Sequence, residues 1–202
     1  MNTFRERPIL MNGESVLGII DLRKTQTRRV VKGKIALDWL QPGMFSLQYV
    51  ALPENYLSPF GYAGNLLWVR ETWAPELWDN DNPQKGDPII YRADMCGEAL
   101  DYPWRPSIFM PRWASRLTLE IINLHIEKLN DITEADVLAE GIIRSNDGNY
   151  LGLNGYPFQY AYEAYFSVWN SIYTKKGYPS DSNPWVWVYE FKPIDQPAVN
   201  GD

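Results

Sequence analysis

The alternation of apolar and polar positions predicts several strands that follow one another with few helices between them. The predicted strands are 7–11, 25–31, 66–73, 88–91, 117–126 and 185–194. In the last of them, Val186 and Val188 alternate with Trp187, Tyr189 and Phe191, so one face is strongly aromatic.

Three segments carry helical signals. Asn12 can cap a first helix, and Thr133 can open a second one with Asp136 completing a capping box and Gly141 ending it. Residues 158–173 show aromatic side chains at the spacing of one helical face. We expect those aromatic side chains to belong to the core.

The strands outnumber the helices, and most are joined without a helix between them. This favours an α+β fold built on a small, mixed, mostly antiparallel β-barrel with flanking helices. Two Pro-rich stretches with weak periodicity, at about 35–63 and 75–106, are interpreted as irregular insertions, here called the first and second insertion. We expect a single domain over residues 1–195 and a disordered tail at 196–202.

Composition narrows the function classes. With 25 acidic and 19 basic side chains the 202-residue chain has a net charge of −6, which argues against a general polyanion binder. Cys96 and His125 are the only residues of their types, so we expect no metal site, disulfide or cofactor. No Gly-rich nucleotide-binding motif is present. Without a signal peptide or a long apolar run, we expect a cytoplasmic protein with no membrane partner.

The charge is unevenly distributed. Residues 1–34 have a net charge of +5, which leaves −11 for the other 168 residues. A local basic patch on an acidic body suits recognition of one anionic group at one place. A solvated basic turn is the alternative.

The segment 23–29 (RKTQTRR) is the strongest candidate for chemistry, because it places four cations within seven residues. Like charges and burial both lower a lysine pKa, so Lys24 could accept a proton from a nearby hydroxyl. In an extended strand Thr25, Thr27 and Arg29 share one side, which places a hydroxyl beside a guanidinium. An ordinary strand is the alternative.

Two carboxylates are further candidates. Glu140 lies in the last turn of the predicted helix, where the negative end of the helix dipole favours a protonated acid that can donate to a leaving group. Glu71 follows Arg70 in a predicted strand and could accept hydrogen bonds from a base edge or hold a cation of segment 23–29. A solvent-exposed Glu140 and a cross-strand ion pair at Glu71 are the structural alternatives.

A third group combines arginine and tryptophan. Arg105, Arg112 and Arg116 are interleaved with Trp104 and Trp113, which resembles a surface that contacts phosphate and stacks bases. Ordinary surface packing of arginine on tryptophan is the alternative. The aromatic side chains of 158–173 and of the last strand are assigned to the core. The tryptophans that remain as candidates for stacking on a base are Trp68, Trp73, Trp104 and Trp113.

The spacing of Lys24, Thr27 and Arg29 resembles the signature of the ASCH domains, a branch of the PUA-like β-barrel superfamily, whose pattern is G-x-K-x-x-[ST]-x-R. The segment 64–73 resembles that family's Gly-Asp-hydrophobic-Trp-Val-Arg-Glu strand. Leu22 stands where the family has glycine, so we expect the turn before Lys24 to avoid positive φ. The arrangement is similar to long ASCH-like proteins of phages and prophages.

The resemblance implies a function. Some smaller ASCH members are amidohydrolases that remove the acetyl group of N4-acetylcytidine with a lysine base, a threonine nucleophile and a glutamate proton donor. These roles fall on Lys24, Thr27 and Glu140, and Arg29 would hold an oxyanion or a phosphate. The implied activity is hydrolysis of an amide on a modified base, in a nucleoside or a nucleic acid. Glu71, Trp73 and Arg112 would contact the substrate.

Three alternatives stay open. The same groove in a non-catalytic RNA or DNA reader would clamp an unpaired base between aromatic side chains. Some ASCH proteins resemble ribonucleases, so a second alternative is that the protein is a nuclease. A phage assembly or host-interaction protein that only keeps the fold would show neither binding nor turnover.

Overall fold

The computed structural model describes residues 6–77, 81–95 and 102–194. In this part of the chain the α-helices are α1 (Gly13–Ile20), α2 (Lys34–Trp39), α3 (Leu47–Val50), α4 (Glu134–Ala139) and α5 (Ala161–Tyr173). The strands are β1 (Glu6–Leu10), β2 (Gln26–Val30), β3 (Leu66–Arg70), β4 (Trp73–Pro75), β5 (Ile89–Tyr91), β6 (Thr118–Lys128), β7 (Ile143–Arg144), β8 (Tyr150–Leu151), β9 (Pro157–Phe158) and β10 (Trp185–Pro193).

Five strands form a central mixed sheet in the order β1-β3-β6-β10-β2. β1 pairs with β3 in parallel, and the remaining pairs are antiparallel. No ladder among the described strands joins β1 to β2, so both are edges of an open sheet. The mixed α+β class is therefore confirmed, whereas closure into a small barrel is not.

The sheet is covered by helices on both faces, and β10 shows why. Trp187, Tyr189 and Phe191 pack in one core cluster with α1, α2 and α3, while Val186 and Val188 pack in a second with α4 and α5. Each fully buried side chain of this size contributes about 1.5–3 kcal/mol of hydrophobic stabilisation. The alternation predicted for the last strand is confirmed, and it fixes which helices lie on which face.

Both insertions contain regular elements. The first insertion includes α2 and α3, which corrects the prediction of an irregular segment, and α2 contributes the buried Ala36 to the first core cluster. In the second insertion β5 pairs with β4 in antiparallel fashion, so the short strand predicted at 88–91 is confirmed. The tail 196–202, for which disorder is predicted, lies outside the described residues.

Two kinds of feature are absent from the described ranges. None of the helices there combines the length and the apolar character that a membrane crossing requires. Nor does that part of the chain hold three or more His, Cys, Asp and Glu side chains grouped as a metal site would be.

Candidate functional site

The segment that links α1 to β2 lies against the carboxyl end of α4. The backbone N–H of Thr25 donates to the carbonyl of Ala139 at 2.8 Å, and Lys24 Nζ donates to the carbonyl of Glu140 at 2.7 Å. The last carbonyls of a helix lack partners within the helix and attract cations. This end of α4 therefore provides a binding place for the Lys24 ammonium.

Two glycines allow Lys24 to be buried there. Lys24 is only 4% exposed, and a Cβ placed on Gly18 or Gly141 would lie 3.2 Å from the Cβ of Lys24. Gly141 also has a φ of +96°, a conformation that other residues rarely adopt. The glycine predicted to end the helix thus has a second role, because it leaves room for the lysine.

Lys24 and Glu140 form a buried ion pair. Lys24 Nζ lies 2.6 Å from Glu140 Oε2, and Arg28 Nη1 lies 3.2 Å from Glu140 Oε1. The Glu140 side chain is 6% exposed. Arg28 also pairs with Glu127 at 2.7 Å and with Asp136 at 3.6 Å. The carboxylate at the helix end is therefore neutralised by two cations, and the prediction of a solvent-exposed glutamate does not apply.

Burial lowers the pKa of Lys24 from the ordinary lysine value of 10.5, because an ammonium without water is less stable than the neutral amine. The neighbouring Glu140 opposes this shift, and the nearby Arg29 and Arg28 add to it. The sequence analysis also expects a lowered pKa for Lys24. Burial contributes more to the shift than the neighbouring arginines do.

The predicted catalytic residues line one cavity of about 400 Å³. Lys24, Thr27 and Glu140 contribute to its wall together with Arg29. A volume of this size is within the range of small-molecule sites. The structure thus brings together side chains that lie as far as 116 residues apart in the chain.

The cavity lies at the opening between the edge strands β1 and β2. Leu10 and Met11, at the end of β1, line it opposite the β2 residues. Arg29 Nη2 donates to the carbonyl of Leu10 at 2.8 Å and lies 3.3 Å from Met11 Sδ. At the place where a barrel would close through a ladder, the two edges are instead bridged by one arginine.

The hydroxyl group of Thr27 makes no hydrogen bond within the described structure. The residue is 4% exposed, and no hydrogen bond of its side chain is found among the described residues. In the same part of the chain Arg29 Nε is buried without a hydrogen-bond partner. Buried polar groups are normally satisfied by protein or water, so Arg29 Nε is a donor available to a ligand in the cavity.

One wall of the cavity is aromatic. It is formed by Tyr165, Trp169 and Tyr173 of α5, and the rings of Trp169 and Tyr173 are stacked with centroids 4.2 Å apart. The sequence assigned these side chains to the core, and they do belong to the second core cluster. The assignment was incomplete, because the same rings also face the cavity.

The turn before Lys24 corrects one expectation. Leu22 adopts a φ of +58° although it is not glycine. A left-handed conformation costs a residue with a side chain roughly 1–2 kcal/mol. The side chain is 55% exposed, so no packing conflict adds to that cost.

Glu71 and Trp73 are not part of the cavity lining. Both carboxylate oxygens of Glu71 are held by Arg116, at 2.9 and 3.0 Å, which matches the ion-pair alternative. Trp73 is 2% exposed and packs edge-on against Trp113 with ring centroids 5.9 Å apart. The structure therefore gives Glu71, just after β3, a pairing role, and Trp73, in β4 of the separate two-stranded sheet, a packing role.

Arg112 also lies outside the cavity lining. It pairs with Glu6 at 2.7 Å, donates to Thr118 Oγ1 at 3.0 Å and lies over the ring of Trp68 at 5.9 Å. These contacts match the alternative of arginine packed on tryptophan at the surface. The tryptophans proposed for base stacking, Trp68, Trp73, Trp104 and Trp113, are likewise not among the residues that line the cavity.

Comparison with known proteins gives little similarity. No protein-family model and no curated protein matches the chain. The crystal structure of protein EF3133 from Enterococcus faecalis V583, described with the family-model DUF984, matches with a TM-score of 0.42 and 12% identity, covering 100% of this chain and 88% of that chain. A similarity this low defines neither a shared fold nor a shared activity.

The sequence did not single out several residues of the cavity. Lys176 follows α5 and lines the cavity, together with the uncharged Asn12, Ser15, Thr72 and Ser107. No local pattern distinguishes Lys176 from Lys175, and only the path of α5 across the opening brings it there.

Chemically, the cavity combines a hydroxyl without a partner, a buried amine whose pKa is lowered, a carboxylate in contact with that amine and an arginine with a free donor. These are the components of nucleophilic acyl transfer.

Proposed function

We propose that the protein is a hydrolase of the ASCH type that cleaves an amide on a modified base, with N4-acetylcytidine as the most concrete substrate. One observation carries the proposal: Lys24, Thr27, Arg29 and Glu140 line a single cavity, and Lys24 Nζ lies 2.6 Å from Glu140 Oε2. The roles of base, nucleophile and proton donor are taken from the resemblance to the ASCH domains. The contact between Lys24 and Glu140 supports a proton transfer between these two side chains.

The reaction begins within the Lys24–Glu140 pair. Because separated charges are costly where water is excluded, the proton moves from the ammonium to the carboxylate and leaves a neutral amine and a neutral acid. The amine then takes the proton of the Thr27 hydroxyl, and Thr27 Oγ1 attacks the acyl carbon. Arg29 stabilises the oxyanion. Glu140 protonates the base nitrogen as the C–N bond breaks.

The second half of the reaction restores the site. The acetyl group is now an ester on Thr27, Lys24 is an ammonium and Glu140 is a carboxylate. Glu140 takes a proton from water as the water oxygen attacks the ester carbon. Thr27 leaves with a proton from Lys24, and acetic acid is released. The sum is one amide and one water converted to an amine and an acid.

The purified protein is expected to convert N4-acetylcytidine to cytidine and acetate. Liquid chromatography with ultraviolet detection measures the cytidine, and an enzymatic assay measures the acetate. Both products should appear in equal amounts, because one C–N bond is cleaved per turnover. Failure to release acetate from the nucleoside, its nucleotide or an acetylated RNA would exclude the amidohydrolase. Binding without turnover would favour the reader.

The pH dependence tests the role of Lys24. The reactive pair contains one proton, which Glu140 gives to the leaving nitrogen, so kcat/KM should fall as the pH rises through the pKa of Lys24, along a limb whose midpoint burial lowers below 10.5. Lys24→Arg keeps the positive charge but cannot supply a neutral base, so it should abolish that limb. A midpoint at 10.5 or above, or the same limb in Lys24→Arg, would exclude Lys24 as the base.

A further inference from the structure

The lining of the cavity is basic, although the whole chain is acidic. Its charged side chains are Lys24, Arg28, Arg29 and Lys176 against the single carboxylate of Glu140, in a protein with a net charge of −6. The other polar groups of the described lining are neutral amide and hydroxyl groups. A second carboxylate that would repel an anion is therefore not found among the described lining residues.

The four cations differ in their partners. Lys24 and Arg28 contact Glu140, and Arg28 has two further carboxylates. Arg29 and Lys176 form no ion pair with a carboxylate within the described part of the chain. Two positive charges of the lining are therefore available to a ligand.

The proposed deacetylation accounts for only one of these two charges. A neutral nucleoside develops a single negative charge during the reaction, on the acyl oxygen, and Arg29 stabilises it. Lys176 has no role in that chemistry. Because Lys176 has no role in the reaction, its positive charge suggests that the substrate itself carries a negatively charged group.

The position of Lys176 fits a group away from the reacting amide. It lies in the turn 174–176 directly after α5, and its Nζ is 5.1 Å from the ring centre of Tyr173, another lining residue. The aromatic contact keeps the ammonium at the cavity wall without neutralising it. Lys176 and the adjacent Lys175 are both exposed, but only Lys176 lines the cavity, so Lys175 offers a matched control.

We infer that the substrate of this cavity is phosphorylated and that Lys176 binds its phosphate. This inference rests on the proposed function, since the base would occupy the part of the cavity next to Lys24. A phosphate monoester and an ammonium form a charge-assisted hydrogen bond that a neutral nucleoside cannot make. The phosphate can belong to a free nucleotide or to the end of a nucleic acid, and both carry the same group.

The test is a binding measurement by isothermal titration calorimetry at low ionic strength. Cytidine, cytidine 5′-monophosphate and a 5′-phosphorylated dinucleotide are titrated into the wild-type protein, Lys176→Gln and Lys175→Gln. The wild type and Lys175→Gln should bind the monophosphate about tenfold more tightly than cytidine, as expected for a charge-assisted contact. In Lys176→Gln the preference should fall to about twofold, and added salt should reduce it in the wild type.

The outcomes separate this inference from the proposed function. Equal affinity for cytidine and its monophosphate, or an unchanged preference in Lys176→Gln, overturns the inference even if N4-acetylcytidine is hydrolysed. A phosphate preference lost only in Lys176→Gln supports it even if no amide is cleaved. Tighter binding of the dinucleotide than of the monophosphate assigns the phosphate to a nucleic-acid end, and the reverse order assigns it to a free nucleotide.

Discussion

Thr27→Ala is expected to lower kcat/KM for N4-acetylcytidine by at least about 10³-fold, because a nucleophile acts as one unit with its base and its loss removes the covalent route. The Thr27 hydroxyl has no hydrogen-bond partner in the described structure, so its removal leaves no other group unsatisfied. The lost methyl group should cost about 1 kcal/mol of stability. Initial rates and thermal unfolding on the same preparations separate the two effects.

Two companion variants sharpen this test. Thr27→Ser keeps a hydroxyl and should retain a substantial part of the activity. Thr25→Ala removes a threonine two residues earlier that is exposed and outside the cavity lining, so its rate should match the wild type. Full activity in Thr27→Ala would exclude the covalent mechanism, as would an equal loss in Thr25→Ala.

The elements of this fold were largely predictable from local signals. Asn12 accepts a hydrogen bond from the backbone of Ser15 at 2.8 Å, as its capping role requires. Thr133 and Asp136 form the predicted capping box. Such signals depend on neighbours within a few residues, so one sequence is sufficient to find them.

The closure of the sheet was not predictable in the same way. Alternation within β1 and β2 identifies two strands but contains no information about whether their edges meet. In the structure Arg29 bridges to the carbonyl of Leu10, and a cavity occupies the place of a ladder. Closure depends on how the two edges approach each other, which no local pattern encodes.

The contact between Lys24 and Glu140 was predictable only through the family resemblance. From the residues alone they were separate candidates, and what joins them is the approach of two glycines, Gly18 and Gly141, to the Lys24 side chain. Arg28 was part of the same segment without an assigned role. Strand alternation places it on the opposite side from Thr27, where it meets Glu140.

Glu140→Gln is expected to reduce the free energy of unfolding by about 3–5 kcal/mol at neutral pH, because it leaves the buried Lys24 ammonium without its carboxylate. The loss should shrink as the pH is raised towards 10.5. Glu140 raises the pKa of Lys24, so its removal lowers that pKa further than in the wild type; between that lower value and 10.5 the unfolded variant binds more protons than the folded one, and its stability rises with pH. Urea unfolding at several pH values measures both effects.

The exposed pair Lys192–Glu120, at 3.0 Å, provides matched controls for the buried pair. Glu120→Gln and Lys192→Met should each change stability by less than about 1 kcal/mol, since water screens an exposed pair. The double variant Lys24→Met/Glu140→Gln should be more stable than the sum of its single variants implies, because it removes both charges. A cost for Glu140→Gln no larger than that for Glu120→Gln would show that the Lys24–Glu140 pair is not buried, and the proton transfer proposed within it would lose its physical basis.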